Sequence, residues 1–123
     1  SSVMPRIWMA LGALSGLLAV AMAAYASHGI DPTRGNLAMT GASLQAWHAL
    51  ALLGAGLLAE RRRGPLPHVA AGLFACGSAL FCTGVYLRAL TEHSIGLATP
   101  LGGITLMAGW GVLGVAALLA PSR

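Results

Sequence analysis

The hydrophobic positions of this chain fall into four long runs that are separated by short polar segments. Each run has a charge-free stretch of about 20 residues, the length of helix that crosses a hydrocarbon core. The runs predict membrane-spanning helices over residues 7–27, 37–59, 68–90 and 101–120, the third with a charge-free centre at 69–87. We therefore predict an all-α, antiparallel four-helix bundle, with residues 1–123 as a single transmembrane domain.

The connectors carry residues that end and begin helices. Gly29, followed by Asp31 and Pro32, closes the first run, and Gly29 is suited to the left-handed position after a helix. Thr99 is expected to cap the fourth helix, with Pro100 at its first position. Gly64 and Pro65 mark the gap between the second and third runs, so every gap has a start or stop signal.

The seven Arg residues predict the orientation, because positive residues in short loops stay on the cytoplasmic side. With four spans, Arg34 and Arg88 fall on one side. The other five fall together on the opposite side, namely Arg6, Arg61, Arg62, Arg63 and Arg123. We expect both termini to face the cytoplasm (N-in, C-in), with a basic inner face that favours anionic lipid headgroups.

Composition supports a membrane protein, since 57% of the residues are apolar and 8% are charged. A soluble domain of this size could not bury so much apolar surface. The net charge of +4 does not indicate nucleic-acid binding, because the Arg residues flank apolar runs and form no stripe. Cys76 and Cys82 are too far apart along one helix for a disulfide, and we expect both to be buried packing residues.

The first run has a second interpretation. Arg6, an apolar stretch and Ala24-Tyr25-Ala26 together resemble a secretory signal with a cleavage site. The stretch is long for a signal core, so we expect a retained first helix.

Small residues are dense in all four runs. Helices in a bilayer associate through close contacts at such residues. Gly12 and Gly16 have the G-x-x-x-G spacing, and Gly72 and Gly109 are candidate contact points in the third and fourth runs.

Two strongly polar residues, Gln45 and His48, lie near the middle of the second run and on the same side of a helix. Burial disfavours a charged imidazole, so we expect a neutral ring with one donor and one acceptor to satisfy. A structural hydrogen bond to a neighbouring helix is favoured over a proton relay, because no carboxylate lies at membrane depth. We predict that this second helix is the one best shielded from lipid.

Other candidate sites are weaker. His28 and His93, with Asp31 and Glu92 nearby, could form a surface metal site, although helix caps and loop hydrogen bonds explain the same residues. Tyr86 fits an interfacial aromatic belt. The chain has no nucleophile elbow, phosphate loop, zinc signature or paired carboxylates, so we expect neither an enzyme nor a cofactor.

Several strings resemble the family of small membrane proteins catalogued as domain of unknown function 423. They comprise 26–30 (ASHGI), 45–53 (QAWHALALL), 85–91 (VYLRALT), 99–103 (TPLGG) and 108–110 (AGW). The resemblance covers nearly the whole chain and implies a four-helix bacterial inner-membrane protein without an established activity. It points to nine positions: His28, Gln45, His48, Tyr86, Thr99, Pro100, Gly102, Gly103 and Trp110. The chain departs from the family pattern at Ser27, which is usually Ala, and at Trp47, where Tyr is favoured.

Three hypotheses for the function follow. The first is a non-catalytic accessory or structural subunit that packs against a larger membrane complex, a second copy or lipids. The second is a small carrier or channel that uses His48 and Gln45 at the membrane midplane. The third is a metal or cofactor binder at His28 and His93.

Overall fold

The computed structural model describes residues 3–123, and this range contains four helices and no strand. They are α1 (Val3–His28), α2 (Pro32–Arg61), α3 (Leu66–Thr91) and α4 (Ala98–Leu119). All four are long and apolar enough to cross a membrane. The predicted all-α, four-helix membrane fold is confirmed.

Each helix packs mainly against the next one along the chain. α1 packs on α2, α2 on α3 and α3 on α4, while α1 and α3 contact each other little and α2 and α4 hardly at all. This zigzag leaves two recesses: one between α1 and α3, floored by α2, which we call the α1–α3 cleft, and one between α2 and α4, which we call the α2–α4 groove.

Helix α2 is the best shielded of the four, as predicted. Half of the residues in its most apolar segment are buried, against 11% in α1. Its buried positions are mostly small, so neighbouring backbones can approach closely; they include Ala38, Ala42, Ala49, Ala55 and Gly56.

The turn between α1 and α2 is tighter than the hydropathy pattern predicts. Asp31 accepts a hydrogen bond from the Arg34 amide (3.1 Å) and Pro32 starts α2, so the helix begins before residue 37. The first turn of α2 is polar, so the apolar run in the sequence begins later than the helix does. The left-handed conformation predicted for Gly29 is wrong, since positive φ values in the described residues occur only at other positions. A Cβ on Gly29 would instead meet the ring of Tyr25, so this exposed ring would have to move if residue 29 carried a side chain.

The predicted cap at Thr99 is also wrong. Helix α4 starts at Ala98, and Thr99 lies inside its first turn without a capping hydrogen bond. Pro100 is tolerated there because first-turn amides have no partner within their own helix. Thr99 packs against α3, where a Cβ on Gly84 would overlap its side chain.

The two cysteines differ in exposure. Cys82 is buried and its thiol donates to the Gly41 carbonyl (3.7 Å), but Cys76 is exposed, so the prediction of a buried Cys76 is wrong. Six residues along a helix turn a side chain by about 120° from its starting direction, so both cannot face the same neighbour.

Candidate functional site

The polar residues of α2 point into the bundle. Gln45 and His48 are 8% and 6% exposed and are the buried polar side chains among the described residues. Both lie near the middle of α2, at membrane depth, where a polar group without a partner is costly.

Gln45 joins three helices through one side chain. Its Nε2 donates to Ser15 Oγ in α1 (3.3 Å), and its Oε1 accepts from the hydroxyl of Tyr86 in α3 (2.6 Å). The amide therefore uses both of its ends as ties between helices.

His48 links α2 to α4. Its Nδ1 lies 2.7 Å from the Leu44 carbonyl, which can only accept, so the proton is on Nδ1. Nε2 is then free to accept from Trp110 Nε1 at 3.0 Å. The ring also packs beside Phe74, with ring centroids 5.9 Å apart. Both nitrogens of a neutral imidazole are thereby satisfied.

The α1–α3 cleft has a volume of about 580 Å³ and lies beside this network. Leu11, Leu14 and Leu18 form much of its apolar α1 wall, and no charged side chain lines it. Gln45 and His48 lie on its α2 side. Beyond Leu11, toward the start of α1, Trp8 Nε1 donates to His68 Nδ1 in α3 (3.0 Å) and joins the two walls.

The α2–α4 groove has a similar volume, about 590 Å³, and is almost wholly apolar. Its lining residues are Trp47, Leu50, Ala51, Gly54, Trp110 and Leu113. Trp47 is 63% exposed although it lies near the centre of α2. The two recesses share no lining residue.

The basic end of the bundle holds the C-terminal segment in place. Arg62 donates to the Ala120 carbonyl (2.7 Å) and Arg63 to that of Ser122 (3.0 Å), while Arg123 donates to the Ala59 carbonyl (3.0 Å). Arg61 and Arg63 are exposed. Part of the Arg cluster therefore has a structural role, because Arg62 and Arg63 bind the C-terminal segment.

At the other end, Arg34 caps a helix. Its Nε and Nη2 donate to the carbonyls of Ala89 (2.7 Å) and Leu90 (2.5 Å) in the last turn of α3. A cation there is favoured by the helix dipole. The sequence pattern alone does not predict this contact, because it depends on the placement of α2 beside α3.

The remaining candidates lie apart from the central network. Among the candidate polar residues, Gln45, His48 and Tyr86 line the cleft, whereas His28 and Thr99 do not. His28 and His93 are exposed, and within residues 3–123 no three His, Cys, Asp or Glu side chains are grouped to hold a metal ion.

The predicted packing glycines contact their neighbours to different degrees. A Cβ on Gly12 would lie 3.0 Å from the Ala49 carbonyl oxygen, and one on Gly109 would lie 2.9 Å from the Phe74 ring. Gly16 and Gly72 would make only ordinary contacts, at 3.8 and 3.9 Å.

Comparison with known proteins shows relatives of the same size. The family model described as protein of unknown function (DUF423) matches residues 22–103. The UPF0382 inner membrane protein YgdD of Escherichia coli K12 is 32% identical over 118 residues, which cover 92% of this chain and 90% of YgdD. The UPF0382 membrane protein YwdK of Bacillus subtilis is 33% identical over 119 residues, covering 92% and 97% of the two chains. No solved structure matches the chain.

The relatives and the four apolar helices agree. Together they confirm the prediction of a multi-pass inner membrane protein. Both the family model and the two relatives extend over most of the chain, as the sequence resemblance implied. The chain belongs to the family described as protein of unknown function DUF423.

Proposed function

We propose that this protein is a non-catalytic accessory subunit of a larger membrane assembly, and that a transmembrane helix of its partner lies in the α2–α4 groove. The observation that carries this proposal is the exposure of Trp47 near the centre of α2. Tryptophan in membrane proteins normally lies at the two interfaces, where its N–H can meet water or headgroups.

The indole N–H of Trp47 has no hydrogen-bond acceptor within residues 3–123, whereas those of Trp8 and Trp110 each reach a histidine. In hydrocarbon, a donor without an acceptor is unfavourable. A partner helix with a carbonyl or hydroxyl at this depth would supply the acceptor.

The groove also has the shape that a helix needs. Trp47, Leu50 and Gly54 lie on one side of α2, and a Cβ on Gly54 would meet nothing within 4 Å. Small residues let a second backbone approach closely. The groove therefore offers a hollow at Gly54 beside the ridge formed by Trp47.

A non-catalytic role is supported by the position of the acidic residues. All three lie at helix ends: Asp31 caps α2, Glu60 is in its last turn, and Glu92 follows α3. The two buried polar side chains at membrane depth, Gln45 and His48, are engaged as ties between helices. No acid–base pair is thus available at membrane depth for chemistry or for coupled proton movement.

The basic end supports lipid as a further partner. Arg6, Arg61 and Arg63 are exposed there, and an N-in, C-in orientation would place them against the anionic headgroups of the cytoplasmic leaflet.

Native electrophoresis of mildly solubilised source membranes tests the accessory role. We expect the chain to migrate in a complex larger than a dimer, and we expect Trp47→Ala to release it. Leu17→Ala, which shortens an exposed apolar side chain of α1, is the matched control and should leave the complex intact. Migration as a free monomer would contradict the proposal. A complex that contains two copies of this chain and nothing else would contradict a foreign partner and would mean that the partner is a second copy of this chain.

A further inference from the structure

The α1–α3 cleft contains hydrogen-bond donors that have no acceptor within residues 3–123. The hydroxyl groups of Ser15, Ser78 and Thr83 line the cleft and donate to none of the described residues. The Gln45 amide uses one of its two N–H groups on Ser15, which leaves the second N–H for another acceptor.

Hydroxyl groups in membrane helices usually donate to a carbonyl one turn earlier. Thr40, Thr91 and Thr105 do so here, at 3.2, 2.5 and 2.8 Å. The cleft hydroxyls do not, although water is scarce at this depth and an unpaired donor is costly. Three hydroxyl donors of the lining are therefore without an acceptor among the described residues.

The ring-nitrogen and amide-oxygen acceptors of the cleft are already engaged, so only hydroxyl oxygens remain as free acceptors in its lining. His48 Nε2 accepts from Trp110, and Gln45 Oε1 accepts from Tyr86. Since no charged side chain lines the cleft, an ionised occupant would have no counter-charge. A fitting occupant is neutral, apolar over most of its surface and equipped with oxygen acceptors.

The donors lie on opposite walls. Ser15 belongs to the α1 wall, and Ser78 and Thr83 belong to the α3 wall. Gln45 lies between them on the α2 floor, where it is hydrogen-bonded to Ser15 and to Tyr86. Two acceptors at opposite edges of one head group would match this arrangement. We propose that the α1–α3 cleft binds a membrane quinone, whose ring carries two opposed carbonyls and whose tail lies along the apolar wall.

The position of the donors agrees with this class of ligand. Ser15, Gln45 and Ser78 lie near the middle of their helices, whereas the ester groups of a glycerolipid lie near the headgroups. Because α1 and α3 contact each other little, a molecule dissolved in the bilayer can enter sideways. The volume of about 580 Å³ is within the range of ligand pockets.

This inference is independent of the proposed accessory role. The cleft and the α2–α4 groove share no lining residue, so the quinone site could be occupied with or without a partner in the groove. The inference concerns binding alone and assigns no redox step to the protein.

Thermal unfolding of the purified protein in lipid nanodiscs tests the site, with decylubiquinone as the probe. A ligand that binds only the folded state raises the unfolding temperature in a saturable way. We expect Ser78→Ala combined with Thr83→Val to weaken the apparent affinity about tenfold, because two hydrogen bonds to the ring are lost. These substitutions remove no hydrogen bond between described residues.

The matched control is Ser43→Ala combined with Thr105→Val, which makes the same chemical changes outside the cleft and should leave the affinity unchanged. Two further probes separate alternative occupants. Decylbenzene has no acceptor and dioleoylglycerol has ester acceptors near the interface, so both should stabilise the protein less than decylubiquinone does. An absence of saturable stabilisation, equal effects of decylbenzene, stronger effects of dioleoylglycerol, or equal weakening in both double variants would each overturn the proposal.

Discussion

The indole of Trp110 in α4 donates to Nε2 of His48 in α2 over 3.0 Å. These two helices hardly touch otherwise, because α4 packs on α3. The hydrogen bond therefore joins two helices that are not packed directly against each other. It fixes the rotation of α4 and makes His48 part of the support of the bundle.

Trp110→Phe should destabilise the folded protein by about 1 kcal/mol, the typical size of an interhelical hydrogen bond in membranes. His48 Nε2 would be left without its donor. Unfolding by SDS titration measures the effect. Trp47→Phe is the control, since Trp47 makes no hydrogen bond within the described residues, and an equal loss in both variants would contradict the role of the bond.

Gly102→Ala should destabilise the protein by about 1–3 kcal/mol, because the added methyl group overpacks a helix contact. A Cβ there would lie 2.8 Å from Phe81 Cα and 2.9 Å from the Gly77 carbonyl oxygen, and backbone atoms cannot move aside cheaply. Gly111→Ala, also in α4, meets nothing within 4 Å and should cause no loss. Equal stability of the two variants would show that α3 and α4 do not approach this closely.

Arg34→Met should loosen the end of α3, because the carbonyls of Ala89 and Leu90 lose a charged donor. We expect a loss of about 1–2 kcal/mol. Hydrogen exchange of the amides in the last turn of α3 should speed up. Arg88→Met removes the same charge from an exposed residue whose side chain donates to no carbonyl of the described residues, and it should have a smaller effect. Faster exchange in that variant alone would contradict the capping role.

Hydropathy was enough to predict four helices, because each span is long and apolar. The errors occur at helix ends. The polar first turn of α2 carries no apolar run. The sequence position of Thr99 predicts a cap, whereas the residue packs against Gly84. Such contacts depend on how two helices meet, which local patterns do not encode.

The central polar residues could be singled out because Gln45 and His48 stand out in an apolar run. Their partners could not be paired with them, since Ser15, Tyr86 and Trp110 lie 30, 41 and 62 residues away in sequence. Pairing requires the order and the rotation of all four helices. The contact between Trp8 and His68 cannot be predicted from the sequence for the same reason, since the two residues are 60 positions apart.

Labelling of single cysteines in intact cells with a membrane-impermeant thiol reagent tests the orientation. In a variant with Cys76→Ser and Cys82→Ala, Ser94→Cys lies between α3 and α4 and Ser122→Cys lies near the C-terminus. The Arg distribution predicts that the cysteine at 94 is labelled and the one at 122 is protected. The reverse pattern would contradict the N-in, C-in orientation.

Site-specific photo-crosslinking tests the accessory role most directly. A benzophenone amino acid replaces Leu50 in the α2–α4 groove or, as the control, Leu17 on the exposed side of α1. Irradiation of source membranes should give an adduct with a second, different protein at position 50 and lipid adducts alone at position 17. Lipid adducts alone at both positions would contradict partner docking in the groove.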